Sequence, residues 1–280
     1  MTRKRKKKMN PENNSIYNLL RKYIEQEATA GVYQDLYITR LPPRPGTTKT
    51  VYKEDYSKED QELLDKPAEE KHGELEIMQE ENNITEFTPP DGTNSEKLQA
   101  LAAHIEGCRL CRELAASRNK IVFGSGNPNA EIMFVGEAPG RDEDIQGLPF
   151  VGRAGKLLMD IIQKGMKLSR EDVYIANILK CRPPQNRNPK PDEERNCTTF
   201  LNSQLKIIRP KVIIALGLYA AQFLTGQKIA IGNLRGRFHE YRGIPVMPTY
   251  HPAYLLRNYS KDNRMKVWED IKKVMELLKK

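Results

Sequence analysis

The sequence predicts an α/β domain of three layers, with helices on both faces of a central four-stranded parallel sheet, preceded by a largely disordered extension. Three observations predict it. Four short apolar runs recur in the last two thirds of the chain: EIMFVG (131–136), VYIANIL (173–179), KVIIALG (211–217) and IPVMPTY (244–250). Helical patterns separate them. Residues 1–94, by contrast, offer little that could form a core. A strand that is apolar at nearly every position, not at alternate ones, has both faces covered, as in parallel sheets joined by crossover helices.

The elements follow in order. Arg3 to Lys8 is an unbroken basic run. NSIYNLLRKYIEQEA then reads as one amphipathic helix, since Ile16, Leu19, Leu20, Tyr23 and Ile24 fall at i, i+3, i+4, i+7 and i+8. LPPRPGTTKT breaks it, and residues 54–86 are acidic and poor in aromatics, a solvated linker by composition. TPPDGTN closes this extension (1–94), and the domain occupies 95–280. Ser95 is placed to cap a helix carrying Leu98, Leu101, Ala102 and Ile105. Further helical patterns span 153–166, 191–208 and 218–225, and a last helix runs from about 262 to 279.

Charge divides the chain the same way. Residues 1–95 hold 15 Lys+Arg against 18 Asp+Glu, whereas 96–280 hold 31 against 19, so the net +9 comes from the folded part. A basic domain suits a polyanionic partner, nucleic acid first, although solubility charge alone also produces such a balance. No apolar run approaches the roughly 20 residues of a membrane span. The basic start lacks an apolar segment behind it, so it is not a secretory signal, and a cytosolic location is expected. In a reducing compartment, four cysteines are better read as ligands than as disulfides.

Cys108 and Cys111 form C-x2-C, while Cys181 and Cys197 are far apart in sequence. Structural zinc usually takes two close pairs. An iron–sulfur cube accepts ligands from separated segments. Four buried structural cysteines remain the plain alternative.

In a parallel sheet, ligands bind beyond the carboxyl ends of the strands. Residues Glu137 to Gly140, Asn177 onward and His251-Pro252 stand there. The stretch VGEAPGRDEDIQGLPFVG (135–152) is glycine-rich, yet it lacks the lysine of a phosphate-binding loop and its acids would repel phosphate.

GEAPGRDEDIQGLPFVGRAGKLL (136–158), NILKCRPPQNR (177–187) and HPAYLLR (251–257), in this order, resemble the family-4 uracil-DNA glycosylases, the iron–sulfur branch of that superfamily. The resemblance covers about 95–280 and says nothing of 1–94. It implies the uracil-DNA glycosylase fold and hydrolysis of the bond between uracil and deoxyribose, leaving an abasic site. It also implies a [4Fe–4S] cluster on Cys108, Cys111, Cys181 and Cys197. By the same resemblance Phe150 stacks under a flipped-out uracil, Asn177 reads its edge and Ala138 lends its backbone. Glu143 closes the pocket against a thymine methyl. Glu137 supports the sugar cation and, with Asn186, holds the attacking water. His251 donates to the uracil oxygen. Tyr254, Leu255, Leu256 and Arg257 form a wedge with a phosphate contact, and Arg235 and Arg237 a second DNA-binding loop. The partner is uracil-containing DNA, single- or double-stranded, acted on by a cytoplasmic, nucleoid-associated monomer without a membrane. Two other readings stand beside this one: an iron–sulfur DNA-binding module without catalysis, and a related glycosylase with another base preference. The short path from Asn177 to Cys181 leaves no room for the inserted basic loop that a covalently linking relative would need.

Overall fold

The computed structural model describes residues 87–279. The basic head, the amphipathic helix and the acidic linker expected before them lie outside the described residues. The first described side chain, Phe87, packs on the core and tilts against His104 at 5.4 Å between ring centroids. The folded body therefore begins at least seven residues before the boundary that composition suggests.

Helix α1 (Asn94–Glu106) opens the domain, capped by Thr93 and not by Ser95. Thr-x-x-Glu is a reciprocal cap: Glu96 N donates to the Thr93 hydroxyl at 3.3 Å, and Thr93 N donates to the Glu96 carboxylate at 2.7 Å. Thr93 N and the Thr93 hydroxyl, which donates to the same carboxylate at 2.8 Å, hold the Glu96 carboxyl below its ordinary range. A short α2 (Arg112–Ser117) follows, then β1 (Ser125–Gly126) and β2 (Ile132–Gly136). After β2 come α3 (Arg141–Gln146) and α4 (Arg153–Asp160), the latter extended by a π-helical turn over Ile161–Met166. Strand β3 (Tyr174–Asn177) leads through a 3₁₀ turn (Pro184–Asn186) to α5 (Pro191–Ile208). The rest is β4 (Val212–Leu216), α6 (Leu218–Thr225), α7 (Ile231–Leu234), β5 (His239–Tyr241), β6 (Ile244–Thr249), α8 (Pro252–Arg257) and α9 (Lys261–Leu278).

The sheet runs β1-β3-β2-β4-β6-β5. Its middle four strands are parallel, as predicted, and the two edge strands are antiparallel additions that make it six-stranded. Successive side chains of a strand point to opposite faces. Met133, Val135, Ile213 and Ala215 therefore enter one core with α1, α5 and α6, while Ile132, Phe134, Ile175 and Ile214 enter the other with α4 and α9. Phe134 is fully buried. No helix among the described residues is long and apolar enough to cross a membrane.

The register decides where chemistry can occur. Gly136 pairs with Asn177 and Leu216 with Thr249, so β2, β3, β4 and β6 end at one level. Pairing continues past the strands: Ile178 N donates to Gly136 O at 2.9 Å, Leu179 N to Glu137 O at 3.0 Å, and Gly217 N to Thr249 O at 2.9 Å. The loops after these strands are thereby locked to each other at the carboxyl edge.

Candidate active site and cysteine centre

Gly136 is the hub of that edge. A Cβ on it would lie 2.4 Å from Asn177 Oδ1 and 2.9 Å from Phe150 Cζ, so only glycine lets the carboxamide and the ring meet there. Asn177 is 2% exposed, and its carboxamide has no hydrogen-bond partner among the described residues. Buried amides are normally satisfied. The open carboxamide at this edge has both a donor and an acceptor to offer a ligand.

Phe150 stands in the left-handed region at φ 54°, a conformation that costs a side-chain-bearing residue about 1–3 kcal/mol. Its neighbours hold it. Arg170 donates to Pro149 O at 2.7 Å, and Glu143 Oε1 accepts from Val151 N and Gly152 N, each at 3.0 Å. Behind it, a Cβ on Gly155 would lie 1.9 Å from Phe150 O, so α4 presses its backbone directly on the loop. The Glu143 carboxylate, expected to face a thymine methyl, ties the two amides after Phe150 through Oε1.

His251 faces Phe150 with ring centroids 5.6 Å apart, tilted by 33°. It is also the N-cap of α8, where Nδ1 accepts from Ala253 N at 3.0 Å. Burial of the ring, with a smaller contribution from Arg257, pushes its pKa down to about 4. The imidazole is therefore neutral near neutral pH. Because Nδ1 accepts, the proton sits on Nε2, which remains as a free donor. Glu137 follows Gly136, half-buried, and burial raises its carboxyl pKa. Ala138 packs beside it at the core margin. Sequence reasoning missed Tyr219, whose hydroxyl donates to Glu194 and whose ionisation is raised first by burial, then by Glu194 and also by Glu137. It follows β4 at the same edge, the one available signal.

Three expected residues are placed elsewhere. Asn186 lies exposed on the 3₁₀ turn at φ 56°, and its Oδ1 accepts from Arg182 Nε at 2.9 Å, so its oxygen is taken up on the surface. Arg235 forms a two-bond ion pair with the fully buried Asp270, at 3.0 and 2.8 Å. Asp270 also accepts from Thr249 at 2.7 Å. Arg235, expected in a DNA-binding loop, is thus engaged by Asp270 and joins α9 to the end of β6. Leu255 is 2% exposed and belongs to the core, because α8 turns that face inward. Leu256 is half-buried, Tyr254 stacks on Tyr250 at 5.0 Å, and Arg257 and Arg237 are exposed. These four keep a surface position.

The four cysteines gather on the other side of Asn177. Cys108 ends the turn after α1, Cys111 is the N-cap of α2, Cys181 follows β3 and Cys197 lies in α5. All four are unpaired and share one packed region. Burial pushes the Cys111 thiol up to about 11 and Cys197 to about 12, and in each case neighbouring cysteines add to the rise. Donors nonetheless point at sulfur: Arg118 to Cys181 at 3.2 Å, Lys180 N to Cys197 at 3.3 Å and Asn196 to Cys111 at 3.7 Å. Three of the sulfurs are met by cationic or amide donors, the surroundings a metal-bound thiolate requires. That donor set fits a four-thiolate centre. Among the described residues no three His, Cys, Asp or Glu side chains converge closely enough to share one ion. The segments are clamped from outside by Glu113, Arg187, Glu193 and Lys190. Arg187 bonds Glu193 at 2.6 and 2.9 Å and Glu113 at 3.0 Å, tying α2 to the start of α5.

A family model described as the uracil DNA glycosylase superfamily matches residues 123–272. The type-4 uracil-DNA glycosylase of Thermotoga maritima is 45% identical over 190 residues, which are 67% of this chain and 98% of that one. The proteins of the same name from Saccharolobus solfataricus and Archaeoglobus fulgidus are each 45% identical, covering 65% of this chain and 87% and 94% of theirs.

Proposed function

Since the chain belongs to the type-4 uracil-DNA glycosylases of the uracil-DNA glycosylase superfamily and removes uracil from DNA, we propose that Phe150, Asn177 and His251 form the pocket that reads and releases the base. The observation that carries this reading is the unpartnered Asn177 carboxamide meeting the Phe150 ring across Gly136. A base in a duplex is out of reach, so it is flipped out before it is read. Phe150 stacks on the uracil ring. Asn177 accepts from N3–H and donates to O4. As the bond to the sugar breaks, uracil becomes anionic, and the neutral His251 donates from Nε2 to the oxygen that gains charge. Glu137, with the Ala138 backbone, orients water and steadies the sugar cation. Leu256 and Tyr254 enter the space left by the base, and Arg257 and Arg237 meet phosphate. The polymer is held by non-specific charge, so binding weakens with salt. The enzyme acts as a cytoplasmic, nucleoid-associated monomer. Release of free uracil from a single-stranded oligonucleotide in the presence of a magnesium chelator tests the whole reading. No release from any uracil-containing DNA would end it.

We further propose that Cys108, Cys111, Cys181 and Cys197 hold a [4Fe–4S] cluster. The cluster supplies cross-linking of α1, β3 and α5 and no chemistry at the sugar, because hydrolysis moves no electrons. Replacing any one of the four by alanine is expected to lower iron content and the melting temperature together, the latter by roughly 5–10 °C, as a loss of a few kcal/mol would do in a domain of this size. Unchanged iron and unchanged melting in all four variants would refute the ligand set.

Glu137 predicts a pH limb. Burial raises its pKa, so it is ionised only above that raised value. The single-turnover rate should climb with pH through a limb lying above the ordinary glutamate range, and Glu137→Gln should lower the rate and flatten the limb. His251 adds no limb near neutrality, being neutral above about 4. A limb that persists in Glu137→Gln assigns it to another group.

The extension is treated as separable from this chemistry. A chain truncated to begin just before Phe87 should fold and release uracil at the full-length rate in single turnover. Cutting at 94 instead removes Phe87 and the Thr93 cap, and the loss of the cap alone costs about 1 kcal/mol. Equal melting temperatures for the two truncations would remove both contacts from the account.

A further inference from the structure

Lys180 is fully buried, a rare state for lysine unless it is paired. It sits between the proposed base reader and the cysteine centre. Its ammonium donates to Asn177 O at 2.8 Å and to Gln204 Oε1 at 2.7 Å. Gln204 is anchored in turn, donating to Phe123 O at 2.9 Å and to the Tyr174 hydroxyl at 3.2 Å. The backbone N–H of Lys180 donates to Cys197 Sγ at 3.3 Å, and its carbonyl accepts from Val122 N at 2.7 Å. Every polar group of Lys180 is therefore committed, and two of its bonds reach the two sites described above.

We propose that Lys180 is a positioning residue that links the cysteine centre to uracil recognition, holding the Asn177–Lys180 turn so that the Asn177 carboxamide and the Glu137 backbone keep their places. The inference rests on the reading of Asn177 as the uracil-contacting group. Its physical content is short. The bond from the side chain to the carbonyl three residues back closes this turn on itself. Within the turn, Leu179 N–H holds Glu137 O at 3.0 Å and Ile178 N–H holds Gly136 O at 2.9 Å. A shift in the turn is thus a shift in both Asn177 and Glu137. Four thiolates around metal would leave excess negative charge in a buried place, and the Lys180 backbone N–H and the Arg118 guanidinium each donate to one of these sulfurs, Cys197 and Cys181. One residue thus bonds a sulfur through its backbone and holds the turn of the reader through its side chain.

The test uses the full-length protein purified anaerobically, as Lys180→Met and Lys180→Gln, with Asn177→Ala beside them. Iron per chain, melting temperature, single-turnover uracil release and the ratio of uracil to cytosine release are measured well below the melting temperature. Lys180→Met is expected to keep most of its iron and lose roughly 10- to 100-fold in the uracil rate, the scale of a small misplacement at a reacting centre. Lys180→Gln, which still offers a donor towards Asn177 O, should recover part of that loss, a rescue that a merely space-filling role would not give. Lys180→Met with full iron and an unchanged uracil rate and ratio overturns the proposal. If Lys180→Met does not fold, the same outcomes are read from Lys180→Gln. Loss of iron in both variants assigns Lys180 to the cluster alone and overturns the link. If Asn177→Ala itself leaves uracil release unchanged, the reading of Asn177 has failed, and that failure is separate from any result at Lys180.

Discussion

Replacing His251 by alanine is expected to lower the single-turnover rate of uracil release by roughly 10²-fold or more, while uracil-containing DNA still binds nearly as well. The asymmetry follows from when the bond matters. In the ground state Nε2–H meets a neutral carbonyl oxygen, and the bond is ordinary. In the transition state the oxygen carries charge, inside a site where burial has already driven the imidazole to its neutral form with a pKa of about 4. A neutral donor that need not give up its proton stabilises the leaving anion without competing protonation. Affinity for the polymer, in contrast, is dominated by phosphate contacts that His251 does not make. One complication is structural. His251 Nδ1 caps α8, and losing that cap costs about 1 kcal/mol. His251→Asn separates the two, because asparagine is a good N-cap yet cannot place a donor where Nε2 stood. It should melt like the wild type and still be slow. If His251→Ala lost binding and kept its rate, the residue would be a DNA contact and the leaving-group role would be wrong.

The parts of this fold that were legible in the sequence are those whose environment is uniform. Ile132 to Val135 and Val212 to Leu216 are covered on both faces, so their runs are unbroken and the parallel core is apparent. Strands β1 and β5 were not legible, being two and three residues long and partly exposed, too short to show a period. Helices α2, α3 and α8 have six residues each, less than two turns. The pocket was legible as a set of motifs, but not as contacts. Leu255 and Leu256 are equivalent in sequence, and only the register of α8 sends one inward. Arg235 reads as a free surface cation until Asp270, 35 residues on, is seen beside it. The direction of Asn186 likewise depends on a left-handed turn and on Arg182, neither of which residue type reveals. Lys180 follows the apolar run 173–179 and carries no signal of its own in the sequence. Its meaning lay in Gln204, on another element.

Asn177→Asp should reduce uracil release by about 30- to 1000-fold near neutral pH and narrow the preference for uracil over cytosine. An ionised carboxylate has only acceptors. It can still receive uracil N3–H, but it faces O4 with no donor, and an uncompensated buried charge of this kind costs roughly 2–4 kcal/mol. Cytosine presents an amino group where uracil presents O4, so one contact that was repulsive becomes attractive. The site adds a pH signature. At 2% exposure, and with no protein donor for the carboxamide, a carboxyl placed here is desolvated and unpaired, and its pKa must rise. Below that raised value it is protonated, and its O–H can donate to O4 while its C=O accepts from N3–H, as the amide does. Uracil release by the variant, taken relative to the wild type at the same pH, should therefore recover as pH falls, opposite in sign to the Glu137 limb that both share. Both limbs can be followed in the same single-turnover series, with uracil and cytosine oligonucleotides side by side. A variant as active and as selective as the wild type at neutral pH would show that Asn177 does not read the base. A slow variant that stays slow at every pH would show that the substitution acts on the turn and not on the hydrogen-bond pattern.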